Sequence, residues 1–143
     1  MDRLEPERLA GAHVLDVVVG NTRRDGCHVV AVRGELDLYT GPPVRRVFEE
    51  IVAQEPAASV VVDLDLLTFL DSSGLGVLIS GLRRLRAGGG SLSLAGCRGA
   101  VAEVLAITGL HHTFPIFDTV AEAVSSAGRV AGGLSAPARD GAR

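Results

Sequence analysis

The stretch Asp71-Ser72-Ser73-Gly74-Leu75-Gly76 lies between two segments of different hydrophobic pattern. Before it, residues 59–64 form a largely apolar run, which is typical of a strand that is covered on both faces. After it, aliphatic residues recur at the spacing of one helix face. Their positions are Leu75, Leu78, Ile79, Leu82 and Leu85. We therefore predict a strand, a short connection and a helix that begins inside the stretch.

Three residues of the stretch, Asp71, Ser72 and Ser73, are of types that commonly begin helices. Their side-chain oxygens accept hydrogen bonds from the free backbone N–H groups of the first turn. A hydroxyl at this place also lies near the positive end of the helix dipole, where N–H donors would surround a phosphate. The residues by themselves leave two interpretations open, a simple helix cap and a phosphorylation site.

The stretch also resembles a known loop. In the STAS family, and in bacterial anti-sigma factor antagonists in particular, the phosphorylation loop reads Asp-Ser-Ser/Thr-Gly-aliphatic-Gly, and residues 71–76 match it. A second match, Gly34-Glu35-Leu36-Asp37 followed by Thr40, lies upstream at the expected place. The resemblance covers residues 13–127 and implies a STAS domain, with a mixed sheet and helices mainly on one side.

The resemblance implies a protein-binding switch. The unphosphorylated chain would bind an anti-sigma factor that is also a serine kinase, and a sigma factor would be released. Phosphorylation by ATP at Ser72 would end this binding, and a serine phosphatase would restore it. The residues that the resemblance assigns to the surrounding partner-binding surface are Asp37, Asp71, Ser73, Gly74 and Leu75.

Two other functions remain open: an interaction module of another signalling or transport assembly, and a small-ligand sensor. The sequence argues against an enzyme, because the two serines lack a Gly-x-Ser-x-Gly elbow and no histidine has a spacing that favours a base. His111 and His112 are neighbours and would need metal ligands from elsewhere, of which we find no set. We therefore predict no catalytic residues, no cofactor and no metal.

The composition of the chain limits the classes of partner and the compartment that we predict. The chain has 143 residues and a net charge of -3, which argues against nucleic-acid binding. No apolar run approaches the roughly 20 residues of a membrane span, and the charged N-terminal stretch is unlike a signal peptide. Cys27 and Cys97 have no metal-site spacing and are expected as reduced thiols. We predict a soluble, cytoplasmic protein that is a monomer or weak dimer.

The pattern along the chain predicts the element order β-β-α-β-α-β-α-β-α. Residues 1–12 are predicted as a mobile arm, residues 13–127 as one domain and residues 128–143 as a disordered tail. The first two strands are predicted at 14–19 and 28–32, with a turn over 20–26. This order corresponds to an α/β fold with a mixed sheet of about five strands. The pattern does not give the order of the strands in the sheet.

Overall fold

The computed structural model describes the backbone of residues 17–131 and the side chains of residues 19–127. The arm predicted for residues 1–12 lies outside this range. The elements, in chain order, are β1 (Val17–Arg24), β2 (Cys27–Leu36), α1 (Gly41–Gln54), β3 (Ser59–Asp63), β4 (Leu67–Leu70), α2 (Ser72–Ala87), β5 (Ser91–Ala95), α3 (Gly99–Thr108), a 3-10 turn (Leu110–His112), β6 (Ile116–Phe117) and α4 (Val120–Ala131).

These strands form one mixed sheet in the order β1-β2-β3-β5-β6, and β4 pairs with β2 beyond the end of β3. β1 is antiparallel to β2, whereas all the other pairs are parallel. The α/β class and the mixed sheet are confirmed, with six strands in the described residues where about five were expected. The parallel arrangement brings the carboxyl ends of β2, β3, β4 and β5 to the same edge of the sheet.

Each face of the sheet has its own apolar cluster. Because side chains alternate along a strand, Val60 and Val62 of β3 lie on one face and Val61 on the other. The larger cluster joins the first face to α1, α2 and α3, and the smaller joins the second face to Ala123 and Val124 of α4. Three helices thus cover one face and one helix covers the other, which confirms helices mainly on one side.

The first hairpin differs from the prediction. β1 continues to Arg24, through most of the segment that we predicted as a turn, and only Asp25 and Gly26 make the connection. Both have positive φ, 50° and 85°, as a two-residue hairpin turn requires. The polar residues of Gly20–Arg24 remain in the strand because the antiparallel pairing to β2 satisfies their backbone groups, whatever their side chains.

β4 is the strand that the sequence pattern missed. Only Leu67 and Leu70 of its four residues are buried, so the strand lacks the strict alternation of a half-buried strand. Its pairing with β2 shifts register between Gly34 and Glu35, and this irregularity accounts for the broken pattern. A strand that forms mainly through pairing with another strand has little pattern in its own sequence by which it could be predicted.

The last helix also extends further than expected. α4 runs to Ala131, four residues into the segment 128–143 that we predicted as a disordered tail. The four additional residues are Gly128, Arg129, Val130 and Ala131, and a single glycine weakens a helix by only about 1 kcal/mol, so the helix can continue through them. The remainder of the predicted tail lies outside the described residues.

A buried histidine near the amino end of β2 contacts the residue that follows α1. His28 of β2 is buried, and its Nε2 lies 2.9 Å from Oε1 of Glu55. Arg23, opposite His28 on β1, lies 3.4 Å from the same carboxylate. The hydrogen bond from His28 is the main cause that lowers the pKa of Glu55 from its ordinary value near 4.5.

We expect this contact to weaken in acid. A carboxylate whose folded pKa is lowered stabilises the fold above its unfolded pKa, and this stabilisation is lost as pH falls through the folded pKa. Glu55→Gln should therefore reduce stability at pH 7, and the difference from the parent protein should shrink as pH falls below 4.5. Urea unfolding at several pH values measures this, with Glu103→Gln on α3 as the control. Parallel curves for Glu55→Gln and the parent from pH 7 to 3 would contradict the expectation.

Candidate functional site

The motif of residues 71–76 begins α2 at the carboxyl end of β4. Asp71 has an extended backbone, with φ -114° and ψ -172°, and its Oδ1 accepts a hydrogen bond of 3.0 Å from the N–H of Gly74. Asp71, and not a serine, is therefore the cap of α2. Ser72 is the first helical residue and is exposed, and Ser73 is partly exposed. Within the described chain, the Ser72 hydroxyl makes no hydrogen bond.

The next two residues of the motif hold α2 against the sheet. Gly74 is buried, and a Cβ there would clash with the carbonyl oxygen of Leu36 and lie 2.8 Å from Cδ1 of Leu70. Leu75 is also buried, in the larger core cluster. The predicted partner contacts Gly74 and Leu75 thus lie inside the domain. Gly76 is exposed, one helical turn after Ser72 on the same face.

The second matched segment folds into a hydrogen-bonded turn between β2 and α1. Oδ1 of Asp37 accepts the N–H groups of Tyr39 and Thr40, at 2.9 and 3.0 Å. The Thr40 hydroxyl, which is buried, donates to the carbonyl of Glu35 at 2.7 Å and accepts the N–H of Asp37 at 2.8 Å. One oxygen of Asp37 is therefore already used inside the domain, and we name residues 37–40 the β2–α1 turn.

The β2–α1 turn and the start of α2 meet at one edge of the sheet. Leu36 and Leu70 are paired across β2 and β4, and Asp37 and Asp71 directly follow them. The N–H of Asp71 also lies 3.4 Å from the carbonyl oxygen of Leu36. The structure therefore brings Asp37, Asp71 and Ser72 together outside the carboxyl ends of parallel strands, where α/β proteins commonly bind their ligands.

Comparison with known proteins accounts for this arrangement. The family model of the STAS domain matches residues 20–123. The chain belongs to the STAS domain family. The anti-sigma F factor antagonist of Paenibacillus polymyxa is 31% identical over 100 residues, which are 70% of this chain and 86% of that protein. The anti-sigma-B factor antagonist of Staphylococcus aureus (strain NCTC 8325 / PS 47) is 29% identical over 96 residues, 67% of this chain and 88% of that protein.

A solved structure agrees with the sequence comparisons. The crystal structure of an anti-sigma factor antagonist from Mycobacterium paratuberculosis has a TM-score of 0.70 and 29% identity to this STAS domain. The match covers 78% of this chain and 93% of that one. The residues predicted from the resemblance therefore lie on a fold that the two proteins share.

The site of this STAS domain is rich in carboxylates. The two matched segments, residues 34–40 and 71–76, contain three acidic residues and no Lys, Arg or His, although Arg33 directly precedes the first segment. The three are Glu35, Asp37 and Asp71, while Asp63 ends the neighbouring strand β3 and Asp65 follows it. Arg98, from the start of α3, reaches this edge and forms an ion pair with Asp65. The surface around Ser72 is thus acidic before any phosphate is added.

Apolar side chains also project from the same edge, and the sequence analysis missed them. Tyr39 is 80% exposed, Leu38 is 64% exposed, and Phe69 on β4 is 44% exposed. A sequence signal exists, because Leu38 and Tyr39 lie between Asp37 and Thr40-Gly41-Pro42, where a turn ordinarily carries polar residues. The search for helical and strand periodicity of apolar residues could not detect these exposed side chains, because a turn has neither period.

The other polar candidates of this STAS domain lie elsewhere. His111 and His112 are exposed in the 3-10 turn, with ring centroids 3.9 Å apart. Among residues 19–127, no three side chains of His, Cys, Asp or Glu are grouped so that they could hold a metal ion.

No helix in the described part of the chain is long and apolar enough to cross a membrane.

We expect Cys97 to react slowly with thiol reagents. Burial raises the pKa of Cys97 to about 11, while the neighbouring Arg98 side chain pairs with Asp65. The smaller thiolate fraction outweighs the greater nucleophilicity, so a Cys27→Ala protein should react with a disulfide reagent about tenfold more slowly when folded than in urea. A time course at pH 8 measures both rates. Equal rates in the two states would contradict this expectation.

Proposed function

We propose that this protein is an anti-sigma factor antagonist that is controlled by phosphorylation of Ser72. In its unphosphorylated form it binds an anti-sigma factor with serine kinase activity, and a sigma factor is released. The kinase transfers phosphate from ATP to Ser72 and the complex separates, and a serine phosphatase reverses the modification. The observation that carries the proposal is the exposed Ser72 hydroxyl, which is free because Asp71 caps the helix in its place.

Position favours Ser72 over Ser73 as the acceptor. Ser72 is exposed at the first helical position, whereas Ser73 is partly covered. A kinase must bring the γ-phosphate of ATP into line with the attacking oxygen, which requires free access to the hydroxyl. Ser73 and Asp71 then contribute to the surface on which the kinase binds, while Gly74 and Leu75 support that surface from inside the domain.

The fold tolerates a phosphate at Ser72. No hydrogen bond of the Ser72 hydroxyl within the described chain would be broken, and the N-terminal end of α2 favours a negative charge by about 0.3–1 kcal/mol. The interface would not tolerate it as well. Phosphorylation adds about 1.5 to 2 negative charges to an already acidic surface, and burying such a charge unpaired costs several kcal/mol.

The remaining properties follow from this role. The protein acts by binding and is not an enzyme, and it needs no cofactor or metal. The acidic edge would repel the phosphates of nucleic acid, so the partners are proteins. We place the protein in the cytoplasm, where sigma factors act on RNA polymerase, as a monomer or weak dimer.

Phosphorylation by a serine-kinase anti-sigma factor of the source organism tests the proposal. With ATP and the purified kinase, peptide mass spectrometry should find one phosphate, on Ser72. Ser72→Ala should remove it and Ser73→Ala should leave it in place. A phosphate on Ser73 with Ser72 unmodified would refute the site, and binding to no anti-sigma factor would favour a module of another assembly.

A further inference from the structure

The β2–α1 turn exposes two large apolar side chains that the proposed switch does not use. Tyr39 is the most exposed of the large hydrophobic residues in the described chain, and Leu38 precedes it. Single exposed apolar residues are ordinary on protein surfaces. Leu38 and Tyr39 are adjacent and lie in the turn that meets the candidate site, so together they form a small apolar patch, and such patches commonly mark interaction sites.

The turn that carries these side chains is held firmly. Asp37 accepts two backbone N–H groups, and the buried Thr40 hydroxyl bonds to the backbone on both sides. The N–H of Gly41 also donates to the carbonyl of Asp37, at 2.9 Å. These bonds fix the backbone at residues 38 and 39 before any partner arrives. A preorganised contact loses less conformational entropy on binding than a mobile one does.

We propose that Leu38 and Tyr39 form a second contact region for the anti-sigma factor and fill an apolar pocket on that protein. Asp37 and Thr40 act as positioning residues that hold the two side chains in place. This inference rests on the proposed function and extends its interface from Ser72 to the neighbouring turn. Tyrosine suits the role, since it combines a large rigid apolar area with few rotatable bonds, and it is common at binding hot spots.

Charge and position select the anti-sigma factor over a second copy of this chain. The turn follows Leu36, whose carbonyl is bonded to the N–H of Asp71, so the patch continues the surface around Ser72. Two copies that met through this edge would place Glu35, Asp37 and Asp71 of each against the same residues of the other. Like charges in direct opposition are unfavourable, whereas a neutral or basic partner avoids this cost.

Calorimetric titration of the full chain against the purified serine-kinase anti-sigma factor tests the inference. Tyr39→Ala should weaken binding by about tenfold or more, as loss of a hot-spot side chain does. Tyr39→Phe keeps the ring and should stay within about twofold. Ile107→Ala on α3 is the matched control, because Ile107 is 79% exposed, and it should also stay within about twofold. Thermal melts should be unchanged for all three.

Two further measurements distinguish a residue that touches the partner from a residue that only holds the turn in shape. Tyr39 is the only tyrosine of the chain, so mass spectrometry of its peptide follows its nitration by tetranitromethane, which should slow in the complex. Thr40→Val should loosen the turn, which faster hydrogen exchange at residues 39 and 40 would show, and should also weaken binding. Thr40→Ser should restore both properties. Faster exchange with unchanged affinity would show that Thr40 serves the fold only, and would overturn its positioning role.

The outcomes distinguish this inference from the proposed function. If Ser72→Asp abolishes binding while Tyr39→Ala binds like the parent, the second contact region is refuted and the switch stands. If no anti-sigma factor binds, the proposed function fails, and the inference fails with it. If sedimentation shows a dimer that Tyr39→Ala dissociates, the patch belongs to a second copy of the chain, and the assignment to the anti-sigma factor is overturned.

Discussion

Ser72→Asp is expected to bind the anti-sigma factor at least about tenfold more weakly than the parent, a loss of about 1.4 kcal/mol, and to fold normally. The new charge would lie in an interface that already contains Asp37 and Asp71, and an unpaired buried charge is costly. The mimic carries one charge, so the phosphate itself should have the larger effect. Ser72→Ala should bind but should not be switched off by ATP.

Stability separates this electrostatic effect from unfolding. The sequence left open whether Ser72→Ala would lose a helix cap worth about 0.5–2 kcal/mol. The structure answers this, because Asp71 makes the capping bond, so both variants should melt near the parent temperature. Ser72→Asn, which has the size of aspartate without its charge, is the control for titration calorimetry. If Ser72→Asn and Ser72→Asp weaken binding equally, the effect comes from bulk and not from charge.

Two glycines of the motif should respond in opposite ways to alanine. At Gly74 a methyl group would meet the backbone of Leu36, so Gly74→Ala should destabilise the fold by about 1–3 kcal/mol, as overpacking does. At Gly76 a Cβ meets nothing within 4 Å, so Gly76→Ala should stabilise α2 by about 0.5–1 kcal/mol. Urea unfolding of both variants measures the difference. Similar stabilities for the pair would contradict the packing that we describe at Gly74.

The substitution at Gly76 should also affect binding of the anti-sigma factor. Gly76 is exposed on the helix face that carries Ser72, so a methyl group there would lie between α2 and a closely approaching partner. We expect Gly76→Ala to gain stability and to lose affinity for the anti-sigma factor in calorimetric titration. A variant that gained stability and kept full affinity would show that the partner does not approach the helix at this residue.

Much of the site could be predicted because its signals are local. Asp71 at a helix start and the spacing of Leu75, Leu78 and Leu82 depend on hydrogen bonds and faces within one element. The order of helices and strands followed in the same way, except at β4. That strand exists through its pairing with β2, which lies more than thirty residues away along the chain, so its own four residues carry almost no signal.

The roles of individual site residues needed the tertiary structure. The resemblance assigned Gly74 and Leu75 to the partner-binding surface, whereas contacts with Leu36 and the core bury both residues. Asp37 is predicted to contribute to the partner-binding surface, and the structure adds that its Oδ1 also bonds within its own turn. Which side chain faces water depends on what packs against it, and a pattern along the chain does not contain that neighbour.

The sequence by itself determined the α/β class, the helical start at residues 71–76 and the resemblance to the STAS family, since local periodicity and motif carry these. Only the tertiary structure decided the strand order, the meeting of the β2–α1 turn with the start of α2, and the exposure of Ser72 and Tyr39. The physical reason is the range of the forces involved. Caps and helix faces are set within a few residues, whereas parallel pairing joins distant segments through backbone hydrogen bonds that are common to all side chains.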